Sequence, residues 1–140
     1  MIPAGRMKGG KEHKVPLSER AIELLRGLPT EDGNGFVFLG PRGGSGLSNM
    51  AMTQVLKRMD RGDVTVHGFR SSFRDWASET TNFPNHVVEM ALAHVVGDKV
   101  EAAYRRGDLL VKRRQLAEAW SKYCTSPPPA GAVLPMRRPA

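Results

Sequence analysis

Val66-His67-Gly68-Phe69-Arg70 places a histidine and an arginine three residues apart at the start of a helical pattern. Residues three apart share one face of a helix. The free N–H groups of a helix N-terminus and the forked donor of arginine both suit a phosphate oxygen. An apolar stripe follows at helical spacing: Phe69, Phe73, Trp76 and Ala77. The stretch therefore predicts a central amphipathic helix whose first turn can bind phosphate.

Other helices are predicted on both sides of this one. Ser18 is a hydroxyl N-cap for a helix over residues 19–26, and Pro84 suits the start of a helix over residues 85–92. Gly107-Asp108 precedes a last long helix. Its predicted apolar face comprises Leu109, Leu116, Trp120 and Tyr123. A further helix after Leu47-Ser48-Asn49 has a predicted buried face of Met52, Val55, Leu56 and Met59.

Extended structure is predicted only near the N-terminus. Lys8-Gly9-Gly10-Lys11 has the paired glycines of a tight turn, and the residues on either side of it predict a β-hairpin. Phe36-Val37-Phe38-Leu39 predicts a short buried strand or extended segment. The expected fold class is therefore mainly α with a small N-terminal β-hairpin or sheet, an α+β arrangement.

Composition limits the classes of function. A chain of 140 residues suits one domain, which we expect over residues 1–124, followed by a flexible proline-rich tail over 125–140. The net charge of +7 favours a polyanionic partner, although a merely basic protein would share it. The single cysteine, Cys124, excludes an intrachain disulfide, and no apolar run predicts a membrane span. Without a cluster of Asp and Glu, we expect no metal and no cofactor.

Three motifs follow one another in a characteristic order. His67-x-x-Arg70 is followed by Leu92-Ala93-His94, and Tyr104 lies ten residues further on. This order resembles the catalytic core of tyrosine recombinases, most closely the bacteriophage-type integrases. Taken singly, each residue also fits a structural role, such as a helix-entry histidine or a half-buried tyrosine. Their order in a basic chain is what favours the resemblance.

The resemblance implies a role for each of these residues. Tyr104 would be the nucleophile that forms a 3′-phosphotyrosine bond with DNA. Arg70 would bind a non-bridging phosphate oxygen, His67 would act as general base or donor, and His94 would donate to the same phosphate. Lys8 would protonate the leaving 5′-oxygen, and Lys11 in the same turn is its close competitor. The residues that would contact DNA are Arg105, Arg106, Arg74 and Lys11.

One feature of the family is missing. Its first catalytic arginine precedes the predicted hairpin, and no residue of this chain can fill that position. We therefore expect a fragment, truncated on its N-terminal side, that binds DNA but is weakly active or inactive alone. The resemblance further implies double-stranded DNA attachment sites, self-association up to a tetramer, and a bacterial cytoplasm near the nucleoid. The alternative function is a non-catalytic DNA-binding remnant.

Overall fold

A computed structural model describes residues 1–94 and 107–127, and these ranges are mainly helical. A short 3-10 helix, Ala4–Arg6, precedes the α-helices. Within the described ranges the α-helices are α1 (Glu19–Arg26), α2 (Ala51–Arg58), α3 (Gly68–Thr80), α4 (Asn85–Ala91) and α5 (Leu110–Thr125). None of them is both long and apolar enough to cross a bilayer. The predicted mainly α fold is confirmed.

The core lies where α3, α4 and α5 meet. Its buried residues are Trp76, Ala77, Val87, Val88 and Leu116. Phe73 and Trp120 cover this cluster, and the rings of Trp76 and Trp120 lie 5.0 Å apart. Aromatic pairs at such distances add about 0.5–1.5 kcal/mol beyond the burial of their area. The apolar stripe of α3 is therefore buried as predicted, except that Phe69 at its first turn stays 57% exposed.

Helix α1 is fixed by two acceptors at its N-terminus. The Ser18 hydroxyl accepts from the backbone N–H of Ala21 at 3.2 Å, as the sequence predicts for an N-cap. The N–H of Glu19 donates at 2.9 Å to Oε1 of Glu118, which lies on α5. These bonds occupy two of the N–H groups that every helix start leaves without an internal partner. The bond to Glu118 joins α1 to α5.

The predicted N-terminal β-hairpin is wrong. Ile2 and His13 form one antiparallel bridge, with N–H to O distances of 2.8 and 2.9 Å, and no strand extends from it within residues 1–94. Pro3 follows the bridge directly and has no N–H with which to continue a ladder. The residues between form the 3-10 helix and a turn in which Gly10, at φ 62°, donates to the carbonyl of Met7. Local hydrogen bonds therefore replace the ladder.

Two predicted buried segments are exposed. Phe36, Val37 and Phe38 form no strand and are 54–59% exposed. Met52 on α2 and Met59 at its C-cap are 61% and 63% exposed, so the predicted buried face of this helix is also wrong. Apolar spacing indicates which face of a helix is apolar, but it does not show whether a neighbouring element packs against that face.

A buried arginine joins the N-terminal segment to α5. Arg113 is only 2% exposed, and its guanidinium donates to the carbonyls of Lys14 and, at 3.1 Å, Asp108. Its Nη2 also lies 3.3 Å from Nε2 of His13. Arginine is rarely fully buried unless it is paired; here both terminal nitrogens are bonded, and among the described residues the buried Nε has no partner. The bonds from Arg113 therefore attach the segment that follows the Lys8 turn to α5.

His13 makes the stability of this junction depend on pH. Burial, followed by the neighbouring Arg113 charge, lowers the pKa of His13 below its usual 6.5, although a bond to the Ala91 backbone opposes the shift. The unfolded chain therefore takes up this proton first as the pH falls, so the free energy of unfolding decreases below about pH 6.5. Urea unfolding midpoints from about pH 7.5 down to about pH 5.5 measure the decrease.

The matched control for this prediction is His13→Gln, which keeps a polar side chain but has no proton to gain. We expect the unfolding midpoint of this variant to change less over the same pH interval, in which the carboxylates do not titrate. An equal decrease in both proteins would contradict the assignment to His13.

Candidate functional site

The start of α3 is shaped by Thr65. Its hydroxyl and its carbonyl both accept from the N–H of Gly68, each at 3.0 Å. A Cβ at position 68 would lie 3.3 Å from that hydroxyl, so glycine fits this tight turn. His67 already has helical backbone angles, and the N–H of Arg70 donates to its carbonyl at 3.0 Å. His67 and Arg70 therefore stand one short turn apart, as the sequence predicts.

The end of α4 turns back on itself and presents His94. The N–H of His94 donates to the carbonyl of Glu89 at 2.9 Å, and that of Ala93 donates to Met90 at 3.1 Å. This pattern is a Schellman motif, whose left-handed residue is usually glycine. Here Ala93 occupies that position at φ 55°, a conformation that costs a residue with a Cβ about 1–2 kcal/mol. The turn directs His94 towards α3.

Four side chains from α3, α4 and this turn form one hydrogen-bonded group, named here the Arg-His-Glu-Arg cluster. Nη2 of Arg70 donates to the Leu92 carbonyl at 2.6 Å and lies 2.9 Å from Nε2 of His94. Nδ1 of His94 lies 2.7 Å from Oε2 of Glu89. The other carboxylate oxygen accepts from Nε of Arg74 at 2.6 Å. Two residues predicted to act together, Arg70 and His94, are therefore in contact.

The cluster retains a net positive charge. The side chain of Glu89 is 14% exposed, whereas those of His94 and Arg74 are 43% and 53% exposed. The hydrogen bond from Arg74 is the main cause that lowers the pKa of Glu89, and the bond to His94 lowers it further against the opposing effect of burial. An ionised Glu89 offsets one of the two guanidinium charges. The exposed Arg70 is left as a cation that can accept an anionic ligand.

Other predicted site residues lie apart from the cluster or outside the described ranges. Lys8 and Lys11 are exposed in the turn after the 3-10 helix, and no hydrogen bond or ion pair joins them to the cluster within residues 1–94 and 107–127. Arg74 is predicted to contact DNA; its Nε donates to Glu89, and its side chain is 53% exposed. Tyr104, Arg105 and Arg106 lie outside the described residues. Their roles stay predictions.

Glu89 is the residue of this site that the sequence reasoning missed. It precedes His94 by five residues, a spacing at which side chains of a regular helix do not share a face. Only the left-handed turn at Ala93 brings the two together. In the sequence, the only signal is an acidic residue five positions before the motif histidine. That spacing predicts a contact only when the left-handed turn at Ala93 is known.

The described chain is thus a helical domain with a cationic cluster of arginine and histidine at the ends of two helices.

Comparison with known proteins gives several similar sequences. The chain is 37% identical over 123 residues to the prophage integrase IntA of Escherichia coli K12, covering 86% of this chain and 30% of that protein. It is 34% identical to the integrase of Shigella phage Sf6, over 87% of the chain and 32% of that protein.

The integrase of Enterobacteria phage P4 is more distant, at 30% identity over 84% of the chain and 28% of that protein. No protein-family model and no solved structure matches the chain. The chain belongs to the bacteriophage-type integrase family, as its motifs predict. It spans about 30% of the length of the relatives it matches.

Proposed function

We propose that this chain carries the DNA strand-cleaving chemistry of a site-specific recombinase. The observation that carries the proposal is the contact between Arg70 and His94, 24 residues apart in sequence and joined at 2.9 Å. A forked cation beside an imidazole can stabilise the charge that develops on a phosphoryl oxygen. The names of the relatives, all integrases, support the same reaction.

In the proposed reaction the Tyr104 phenol attacks a backbone phosphorus of DNA. Its proton passes to a base, for which His67 is the candidate, while Arg70 and His94 bind the non-bridging oxygens. The bond from phosphorus to the 5′-oxygen breaks, and that oxygen takes a proton from Lys8. The 3′-phosphotyrosine bond conserves the energy of the broken bond, so a second 5′-hydroxyl can reverse the step without a cofactor.

Double-stranded DNA is the proposed partner, bound at attachment sites. The net charge of +7 favours a polyanion and implies affinity that decreases with added salt. Arg105, Arg106, Arg74 and Lys11 are the proposed phosphate contacts. Full recombination would place four copies on two duplexes in a bacterial cytoplasm. Because the chain spans only about 30% of its relatives, we propose that it is weakly active or inactive alone.

A covalent trapping assay tests this function. A nicked duplex that loses its short 5′ strand after cleavage is incubated with the protein, and adducts are separated on a denaturing gel. Two forms are compared: the chain itself, and a chimera in which it replaces the matching segment of the E. coli relative, assayed on that relative's attachment site. We expect an adduct at least from the chimera.

The chain has two tyrosines, and the second is the matched control. Tyr104→Phe is expected to abolish the adduct, whereas Tyr123→Phe keeps the ring that stacks on Trp120 and should leave the adduct intact. An adduct that survives Tyr104→Phe would overturn the assignment of the nucleophile. Duplex binding without an adduct from either form would favour the DNA-binding remnant instead.

A further inference from the structure

We propose that Glu89 is a positioning residue that holds His94 with its proton on Nδ1 and with Nε2 turned towards Arg70 and the phosphate site. This inference rests on the proposed function, since it concerns the same site. Neither the motif order nor the similarity to integrases assigns a role to Glu89. It is based on the position of the Glu89 carboxylate, which lies between Arg74 on α3 and His94 after α4.

The two oxygens of Glu89 serve two different elements. Oε1 accepts from Arg74 on α3 at 2.6 Å, and Oε2 faces Nδ1 of His94 at 2.7 Å. Glu89 itself lies on α4, and its side chain is only 14% exposed. Arg74 stands one helical turn after Arg70 on α3, so the same bridge also sets the distance between Arg70 and His94.

An ionised carboxylate can only accept hydrogen bonds, so Nδ1 of His94 must carry a proton. In the neutral ring Nε2 then has a free lone pair, and Nη2 of Arg70 lies 2.9 Å from it. The nitrogen that faces Arg70 is therefore selected by Glu89. Similar carboxylate partners fix the tautomer of catalytic and metal-bound histidines in other proteins.

This arrangement prepares the site for an anion. The guanidinium of Arg70 donates to the Leu92 carbonyl and to His94 through the same nitrogen, while no bond from its Nε or Nη1 exists within the described residues. A phosphate that draws Arg70 away meets Nε2 of His94, the ring nitrogen that faces away from Glu89. Nδ1 stays bound to Glu89 throughout, so the ring does not rotate.

The tautomer of His94 can be measured directly on the full chain. Nitrogen-15 NMR of histidine-labelled protein distinguishes a protonated from an unprotonated ring nitrogen, and His94→Gln assigns the signal among the four histidines. At a pH where the ring is neutral, we expect its single proton to lie on Nδ1 of His94 in the free wild-type protein. A wild-type ring with its proton on Nε2 would overturn the inference without any Glu89 variant.

Glu89→Gln keeps the shape of the side chain and removes its charge. Because an amide can either accept or donate, we expect His94 to populate both tautomers in this variant. Glu89→Asp retains an acceptor-only carboxylate and is expected to restore the Nδ1-protonated form. Glu79→Gln removes an equivalent charge from the exposed end of α3 and should leave the signal unchanged. An unaltered His94 spectrum in Glu89→Gln would overturn the inference.

Cleavage by the chimera separates this inference from the proposed function. Loss of the outer partner of a metal-bound histidine costs about 10–100-fold in metal affinity or activity, and Glu89 is an analogous partner of His94. We expect Glu89→Gln to lower the rate of adduct formation at saturating DNA by that factor while DNA affinity changes little. A loss of affinity with an unchanged rate would contradict positioning. Failure of the proposed function would instead appear as the absence of any Tyr104-dependent adduct, whatever the His94 spectrum shows.

Discussion

Replacing Arg70 by alanine is expected to lower the rate of DNA cleavage by about 10²–10³, the usual cost of one preorganised donor to a developing oxyanion. The side chain stands at the first turn of α3 and holds both the Leu92 carbonyl and His94. Its removal takes away a phosphate donor and one neighbour of the histidine. Because the side chain is exposed, the fold should tolerate the change. The measurement is the rate of adduct formation by the chimera at saturating DNA.

Two further variants separate geometry from charge. Arg70→Lys retains the cation but has no fork with which to bind two oxygens, so we expect it to recover only part of the lost rate. Arg26→Ala removes the same charge from the exposed C-terminal end of α1 and should change the rate little. Equal rates for Arg70→Ala and Arg26→Ala would mean that Arg70 contributes only general positive charge.

Replacing Arg113 by alanine is expected to destabilise the fold by about 2–4 kcal/mol. The guanidinium is buried, and its removal leaves the partly buried carbonyls of Lys14 and Asp108 without their donors, at a cost of up to about 1–3 kcal/mol for each. The vacated volume adds a cavity cost. A loss of this size is a large fraction of the 5–15 kcal/mol that typically holds a domain folded. Urea unfolding measures it.

Arg113→Met tests the origin of that loss. Methionine fills most of the volume and removes the cost of burying a charge, so we expect a smaller destabilisation than with alanine. Burial disfavours the charged form of the Arg113 guanidinium and so lowers its pKa, which is the cost that methionine would remove. Arg114→Ala changes the exposed neighbour and should stay within about 0.5 kcal/mol of the wild type. Equal losses for Arg113→Ala and Arg114→Ala would contradict a structural role for Arg113.

Helix positions were predictable where the signal is local. The Ser18 cap and the turn at Pro84 lie at the starts of α1 and α4 as expected. The core face of α3 also follows from spacing, because Trp76 and Ala77 recur with the helix period. Capping and periodicity act within a few residues, and the sequence displays them directly.

Burial at the edges of the fold was not predictable in the same way. The hairpin prediction relied on paired glycines, yet the segment after Ile2 satisfies its hydrogen bonds locally. The predicted buried face of α2 and the segment around Val37 are exposed. Burial requires another element to pack against these residues, and apolar spacing does not provide one. Arg113 shows the opposite case. Arginine is usually exposed, yet this guanidinium is buried against the Asp108 carbonyl just before α5 and the Lys14 carbonyl 99 residues earlier.

The sequence by itself determined the class of protein, most of the helices and the expectation that Arg70 and His94 act together. These depend on residue type, order and short-range spacing, which are properties of the chain alone. Only the tertiary structure decided that Glu89 bridges Arg74 and His94, and that Arg113 anchors the N-terminal segment. Both contacts depend on a left-handed turn or on the packing of distant elements, and such contacts leave no periodic signal in the sequence.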